Sequence, residues 1–292
     1  MDWSRATFES LRSLRGRATR CTFATFVTCY VLFEATALAS EPELKRTNEF
    51  LWAEFGVTSA LGLGSLFLPK PSTCVWCGTN SFDRGARSAL VWEQPKDARL
   101  ASDITVGAIL PLSAIAFATL PSLVNHERKH ALQNLPIVTS AFVTSFVLTQ
   151  VTKVLAGRLR PGCAMFATSG ISGTECNVSF FSGHTAAGFS LAASTTTLLA
   201  LRGQGIAPVA GVLLGSLATT GALLRMMGDA HWATDVLVGM SVGTAVGITM
   251  PLLLHPRDSS SSAVSTPATS STNLTIVPAA NTDAGIGFAG AF

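Results

Sequence analysis

Residues 131–152 read ALQNLPIVTSAFVTSFVLTQVT, and Lys153 follows. No charge interrupts the stretch. At about 1.5 Å of rise per helical residue, it matches the roughly 20 apolar residues that cross the hydrocarbon core of a bilayer. The runs Ile104–Asn125, Thr185–Leu201, Gly203–Leu224 and Val236–Leu254 are likewise free of charge. A helix of a soluble core keeps a polar face, so uncharged runs in series exclude a solvated helical enzyme. Their Ala, Gly, Ser and Thr content suits close helix packing in lipid. Thr185–Leu201 is short for a span and calls for flanking residues or a thinned bilayer.

Composition points the same way. The 292-residue chain is 48% hydrophobic and only 13% charged, against about a quarter charged in ordinary soluble domains. Its 20 basic and 17 acidic residues leave a net charge of +3, with no basic surplus for nucleic acid. The expected fold class is all-α, a polytopic membrane helix bundle of about six spans.

The ends read differently. Arg5, Arg12, Arg15, Arg17 and Arg20 precede the apolar Cys21–Phe33 and then Ala37-Leu38-Ala39. That is the order of a signal peptide, and Glu34 within it fits an uncleaved anchor equally. Residues 1–40 are therefore expected to be a signal peptide or N-terminal anchor, and 41–256 the membrane domain. Residues 257–292 form a Ser/Thr-rich low-complexity tail, frayed or ending in a short hairpin. Phe50–Pro69 is a further span candidate, weakened by Glu54. Residues 70–103 are a polar connector in which Phe82, Ala86 and Leu90 take the spacing of an amphipathic surface helix.

Polar clusters interrupt the apolar chain at Lys153–Pro161, Phe181–His184 and Arg225–Asp235. Lys153 ends one uncharged run and His184 opens the next. Arg225 ends another, and His231 and Asp235 lead into the last. For antiparallel neighbours, end, start, end, start is one membrane face, so the clusters can converge. Lys153, Arg160 and Arg225 supply cations, and an arginine fork matches phosphate oxygens. Ser182, the Gly183 amide and a helix start add neutral donors. Two histidines serve proton transfer and nucleophilic attack near neutral pH. His231 and Asp235, spaced i, i+4, share a helix face, where Asp235 is expected to accept from one ring nitrogen. Singly, each feature is ordinary: a cation at a span end is usually an interfacial anchor. His126 and His130, beside Arg128 and Lys129, read as solvated loop residues. The joint order and the shared face carry the reading.

The pattern Lys-(six residues)-Arg-Pro, Ser-Gly-His and Arg-(five residues)-His-(three residues)-Asp resembles the type 2 phosphatidic acid phosphatase (PAP2) family, in a superfamily with vanadium haloperoxidases and bacterial acid phosphatases. The motifs occupy residues 153–235. Two positions depart from the family pattern: Phe181 stands where proline is frequent, and Leu224 where serine is frequent.

The resemblance implies that Lys153, Arg160, Ser182, Gly183 and Arg225 bind phosphate. It implies that His231 attacks phosphorus, that Asp235 orients it, and that His184 protonates the leaving alkoxide and then activates water. No metal and no cofactor is implied. The roles of Arg158 and Asp229 stay open. The expected activity is hydrolysis of a lipid phosphate or diphosphate at the membrane interface through a phosphohistidine. The expected partners are the lipid substrate and the bilayer, with no nucleic acid and no obligate protein partner. Alternatives are a haloperoxidase-like enzyme and a non-catalytic lipid-binding or transport protein.

Cys74, Cys77, Cys163 and Cys176 all fall on the face that carries the clusters. A Cys163–Cys176 disulfide is expected, with Cys74–Cys77 as a second candidate pair, because disulfides persist in oxidising compartments. This favours a bacterial inner membrane with the site facing the periplasm. A cleaved signal peptide followed by a true span at 50–69 would instead face the site to the cytoplasm, and the sequence leaves that choice open.

Overall fold

The structure, a computed structural model, describes residues 47–164 and 173–256. The expectations for 1–40 and for 257–292 lie outside the described residues. Helix α1 spans Asn48–Ser65, α2 Ser81–Leu90 and α3 Pro95–Ile104. α3 runs through a π-helical turn, Thr105–Ile109, into α4, Leu110–Val124. Then come α5 Arg128–Ala156, α6 Gly183–Leu201, α7 Ala207–Met227 and α8 Ala233–Leu254. Among the described residues, the extended pairing is confined to a single bridge between Trp76 and Arg158. The fold is all-α.

Among the described residues, four helical stretches are long and apolar enough to cross a membrane: Pro95–Val124, Arg128–Ala156, Ala207–Met227 and Ala233–Leu254. Their hydroxyls do not contradict this, because many bond within their own helix. Thr139 Oγ1 donates to the Leu135 carbonyl at 2.6 Å, Thr219 Oγ1 to Gly215 at 2.8 Å and Ser241 Oγ to Leu237 at 3.0 Å. A hydroxyl satisfied that way tolerates hydrocarbon.

Helix α6 lies in the middle of the bundle, against α5, α7 and α8. Protein rather than lipid surrounds it, so it can carry buried Thr185, Ser190, Ser194 and Thr195 among its alanines. Ser190 Oγ, for instance, donates across to the Ala141 carbonyl of α5 at 2.9 Å.

The α6–α8 contact depends on glycine. Gly239, Gly243 and Gly247 recur every fourth residue along one stripe of α8. A Cβ on them would lie 2.7 Å from the Ser182 carbonyl oxygen, 2.2 Å from that of Ala186 and 2.6 Å from that of Ser190. Those oxygens belong to the backbone and cannot turn aside. The helices therefore approach to a distance that only hydrogen side chains permit, and this approach sets the start of α8 beside the start of α6.

Connector and bundle interlock. Gly157 ends α5 in the left-handed region at φ +50°, where a Cβ would meet Val75. Its carbonyl accepts the Val75 N–H at 2.9 Å, and Leu159 N–H donates to the Trp76 carbonyl at 3.1 Å. Helix α2 starts with Asn80, whose side chain accepts the Asp83 N–H at 2.7 Å. It turns its acid inward: Asp83 is fully buried while Phe82 is exposed. The spacing that marks an amphipathic helix is present, and its polar face meets protein charges.

Gly243→Leu should destabilise the bundle by about 1–3 kcal/mol, the usual cost of overpacking. Gly64→Leu, where a Cβ meets nothing within 4 Å, should be near neutral. Thermal unfolding in detergent compares the two.

Candidate active site

The bundle brings the polar clusters together at one end. Lys153 closes α5, and its Nζ lies 3.5 Å from where a Cβ on Gly183 would stand. Ser182 precedes α6 and is fully buried, its Oγ accepting from Thr185 Oγ1 at 2.8 Å. His184, in the first turn of α6, touches Arg225 from the last turn of α7. Arg160 follows the Gly157 turn and is held by backbone: its Nε donates to the Glu175 carbonyl at 2.8 Å and its N–H to the Cys176 carbonyl at 2.7 Å. His231 sits in the loop between α7 and α8. All eight motif residues expected from the sequence thus lie at this end of the bundle.

Charge here is mostly positive. Lys153, Arg160 and Arg225 each disfavour protonation of His231, after burial, which contributes most. The imidazole is held well below its ordinary value and is neutral. Burial likewise pushes Arg160 down to about 10, against the attraction of Glu175, so it remains charged at neutral pH. Glu175 is lowered, first by its hydrogen bond from Lys70. Arg225 buries an Nε that has no protein partner. An unsatisfied buried guanidinium donor is costly unless an anion completes it. Donors of this kind, three cations and the Ser182 hydroxyl, suit a tetrahedral oxyanion.

The histidines are oriented by different means. His231 Nδ1 stands 2.7 Å from the Ser179 carbonyl. A carbonyl only accepts, so Nδ1 carries the proton and Nε2 the lone pair. The expected Asp235–His231 hydrogen bond is not formed, the separation being 3.7 Å. Asp235 is taken up elsewhere: Arg158 donates to Oδ1, and Ser179 Oγ and the Trp232 N–H donate to Oδ2 at 2.5 and 3.0 Å. As third residue of α8, it is also well placed to cap the helix start.

Residues outside the motifs complete the site. Asp103, at the end of α3, lies 2.9 Å from His184 Nε2 and pairs with Arg225. It supports Arg225, for which Leu224 offers no hydroxyl. A signal for it existed: Asp103 immediately precedes an uncharged run, so the parity that collects Lys153 and His184 collects it too. Arg87 of α2 grips Asp229 with two bonds of 2.7 and 2.8 Å. That grip fixes Asp229 at φ +55° in the turn before His231, and its pull raises the Arg87 value. Arg99 Nη1 adds a bond to the Gly228 carbonyl at 2.7 Å. Phe181 is buried against Phe180, ring centroids 6.0 Å apart, so aromatic packing steadies the approach to Ser182. Disulfides join Cys74 to Cys77 and Cys163 to Cys176. The second ties the turn after Arg160 to the Glu175–Cys176 backbone that Arg160 bonds.

The family model described as the PAP2 superfamily matches residues 134–258. Over that segment the chain is similar to the PAP2 superfamily. No curated protein and no solved structure matches it. The matched segment contains every motif residue from Lys153 to Asp235. Asp83, Arg87, Arg99 and Asp103, which brace those residues, come before it.

Cys176→Ser should remove a bridge spanning 13 positions, worth about 3 kcal/mol by chain entropy, and weaken the hold on Arg160. Thermal unfolding and vanadate affinity, each with and without reductant, check this. Reductant should lower both in the native chain by more than in the variant, where Cys74–Cys77 alone remains to be reduced.

Proposed function

We propose that this protein hydrolyses a lipid phosphate or diphosphate at a membrane interface through a phosphohistidine. The observation that carries the reading is a cavity of about 370 Å³. Lys153, Gly183 and His184 stand at its polar end, and Leu66, Val106 and Phe142 are among its apolar walls. From Lys153 back to Phe142 the cavity follows α5 for roughly 16 Å at 1.5 Å per residue, far enough to take part of an alkyl chain. Headgroup chemistry and an apolar slot in one space fit a lipid better than a soluble ester.

The chemistry follows from the donors. The three cations and Ser182 hold the phosphoryl oxygens and spread the charge that develops on them, the part a divalent ion plays in other phosphatases. Nε2 of His231 forms a P–N bond as the bond to the leaving oxygen breaks, and His184 gives that oxygen its proton. Water then loses a proton to His184, attacks phosphorus and releases inorganic phosphate, which returns His231 to its neutral form. Asp103, beside His184 Nε2 and paired with Arg225, keeps that imidazole aimed at the leaving group. Both disulfides lie on the site's face, which supports a site turned towards an oxidising compartment such as a periplasm.

The full chain in detergent should release phosphate from phosphatidic acid in the presence of EDTA, with vanadate inhibiting, and His231→Ala should abolish turnover. Activity lost to EDTA and restored by a divalent ion would overturn the metal-independent mechanism. Phe146 lines the same cavity, so Phe146→Trp should lower kcat/KM for the lipid substrate and spare a small water-soluble phosphate ester. Asp103→Asn should reduce kcat by about 10–100-fold, part of the 10²–10⁴ that a general acid supplies.

A further inference from the structure

Behind the nucleophile lies a set of charges with no exposure to solvent. Arg158, Asp83 and Asp235 each show 0% accessibility. Arg158 Nη2 donates to Asp83 Oδ2 at 2.6 Å, and Nη1 donates to Asp235 and, at 2.8 Å, to Thr234 Oγ1. Its guanidinium carbon lies 4.0 Å from the Trp76 ring centre and 5.9 Å from that of Trp232. Asp83 is fixed in turn, accepting the Thr234 N–H and hydroxyl at 2.9 Å each. The arrangement ties the connector helix α2, the turn after α5 and the start of α8 to one guanidinium.

Two acceptors stand near His231 Nδ1, and only one is used. The Ser179 carbonyl is at 2.7 Å and the Asp235 carboxylate at 3.7 Å. Asp235 has already spent its oxygens on Arg158, Ser179 and the Trp232 amide. Ser179 is linked to both, its hydroxyl donating to Asp235 and its carbonyl accepting from His231.

We propose that Arg158, braced by Asp83, is a positioning residue for the nucleophile. By taking up the Asp235 carboxylate, it leaves the Ser179 carbonyl as the acceptor for His231 Nδ1–H and presents Nε2 of a neutral imidazole to phosphorus. The inference rests on the phosphohistidine reading above and assigns duties to Arg158 and Asp83 that the phosphate-binding set does not include.

The electrostatic consequence has a sign. His231 faces Arg160, Lys153, Arg225 and His184 on the substrate side, and the Asp235–Arg158–Asp83 set behind. Neutralising Arg158 leaves a bare carboxylate 3.7 Å from Nδ1. That favours the imidazolium, raises the His231 titration and moves the acid limb of kcat/KM to higher pH, by about one unit or more. Neutralising Asp83 removes a negative charge and leaves Arg158 balanced by Asp235 alone, so the imidazolium is disfavoured further and the acid limb does not climb. A purely structural role would lower the amplitude in both variants and shift neither profile.

The experiment uses the full chain labelled with ¹⁵N-histidine in detergent, with His231→Asn assigning the signal. Wild type should show a neutral Nδ1–H tautomer whose titration lies below the ordinary imidazole value of about 6.5. Arg158→Gln should raise the titration midpoint, Asp83→Asn should not, and Arg158→Lys should keep it while cutting kcat at least tenfold. If Arg158→Gln does not fold, the Arg158→Lys and Asp83→Asn spectra decide. A midpoint that climbs in both overturns the proposal, as does an unprotonated Nδ1 in wild type or an Arg158→Gln midpoint that stays put. The spectra need no turnover, so an inactive chain with the expected tautomer overturns the phosphatase reading and leaves this one standing.

Discussion

A guanidinium sealed from water between two carboxylates is an expensive thing to build. Arg158 has two tryptophan faces against it and Asp83 and Asp235 at its ends. Such a set is weak evidence for net stability, because desolvation offsets most of the attraction. Losing one partner is another matter, since an uncompensated buried charge costs about 3–5 kcal/mol. The consequence is geometric: the connector helix α2, the turn after α5 and the start of α8 must be in place together for any of these charges to be neutralised. Every motif residue of the candidate site lies within a few positions of those segments or packs against them.

The bundle beneath supplies the other constraint, which is closeness. Gly239, Gly243 and Gly247 lay α8 on the backbone of α6, so His231 ahead of one helix and Ser182 ahead of the other meet at the same level. In lipid there is little hydrophobic gain from pressing helices together, and contact through small residues takes its place. At the opposite end, Arg202 bonds Gln133 and Asn134 at 2.9 and 3.2 Å, and Gln133 reaches Asn48 at 2.8 Å, so polar side chains fasten both ends of an apolar middle.

Functional division within the site follows burial. His231, 4% exposed, is dry, surrounded by cations and therefore neutral, which is what the proposed nucleophile requires. His184 lines the cavity beside the charged pair Asp103–Arg225, where a leaving group and a water can reach it. The two roles proposed for the same imidazole group thus match settings that differ in water and in charge.

Much of this was legible in the sequence. Uncharged runs announced apolar helices because hydrocarbon tolerates no lone charge, and the parity of Lys153, His184, Arg225 and His231 announced one face because antiparallel neighbours alternate. These are local or periodic properties, carried by the chain itself. The partner of Asp235 was not legible. Spacing i, i+4 placed it near His231, but a buried carboxylate goes to the strongest donor within reach, and that donor, Arg158, arrives from 77 residues away. Nor could the sequence say that Asp83 and Arg87 turn inward from α2, since an amphipathic pattern does not state which medium meets its polar face. Helices and the composition of the site are decided by the order of residues; which acid neutralises which cation is decided by the tertiary structure, because Coulomb pairing depends on distance in space and not along the chain.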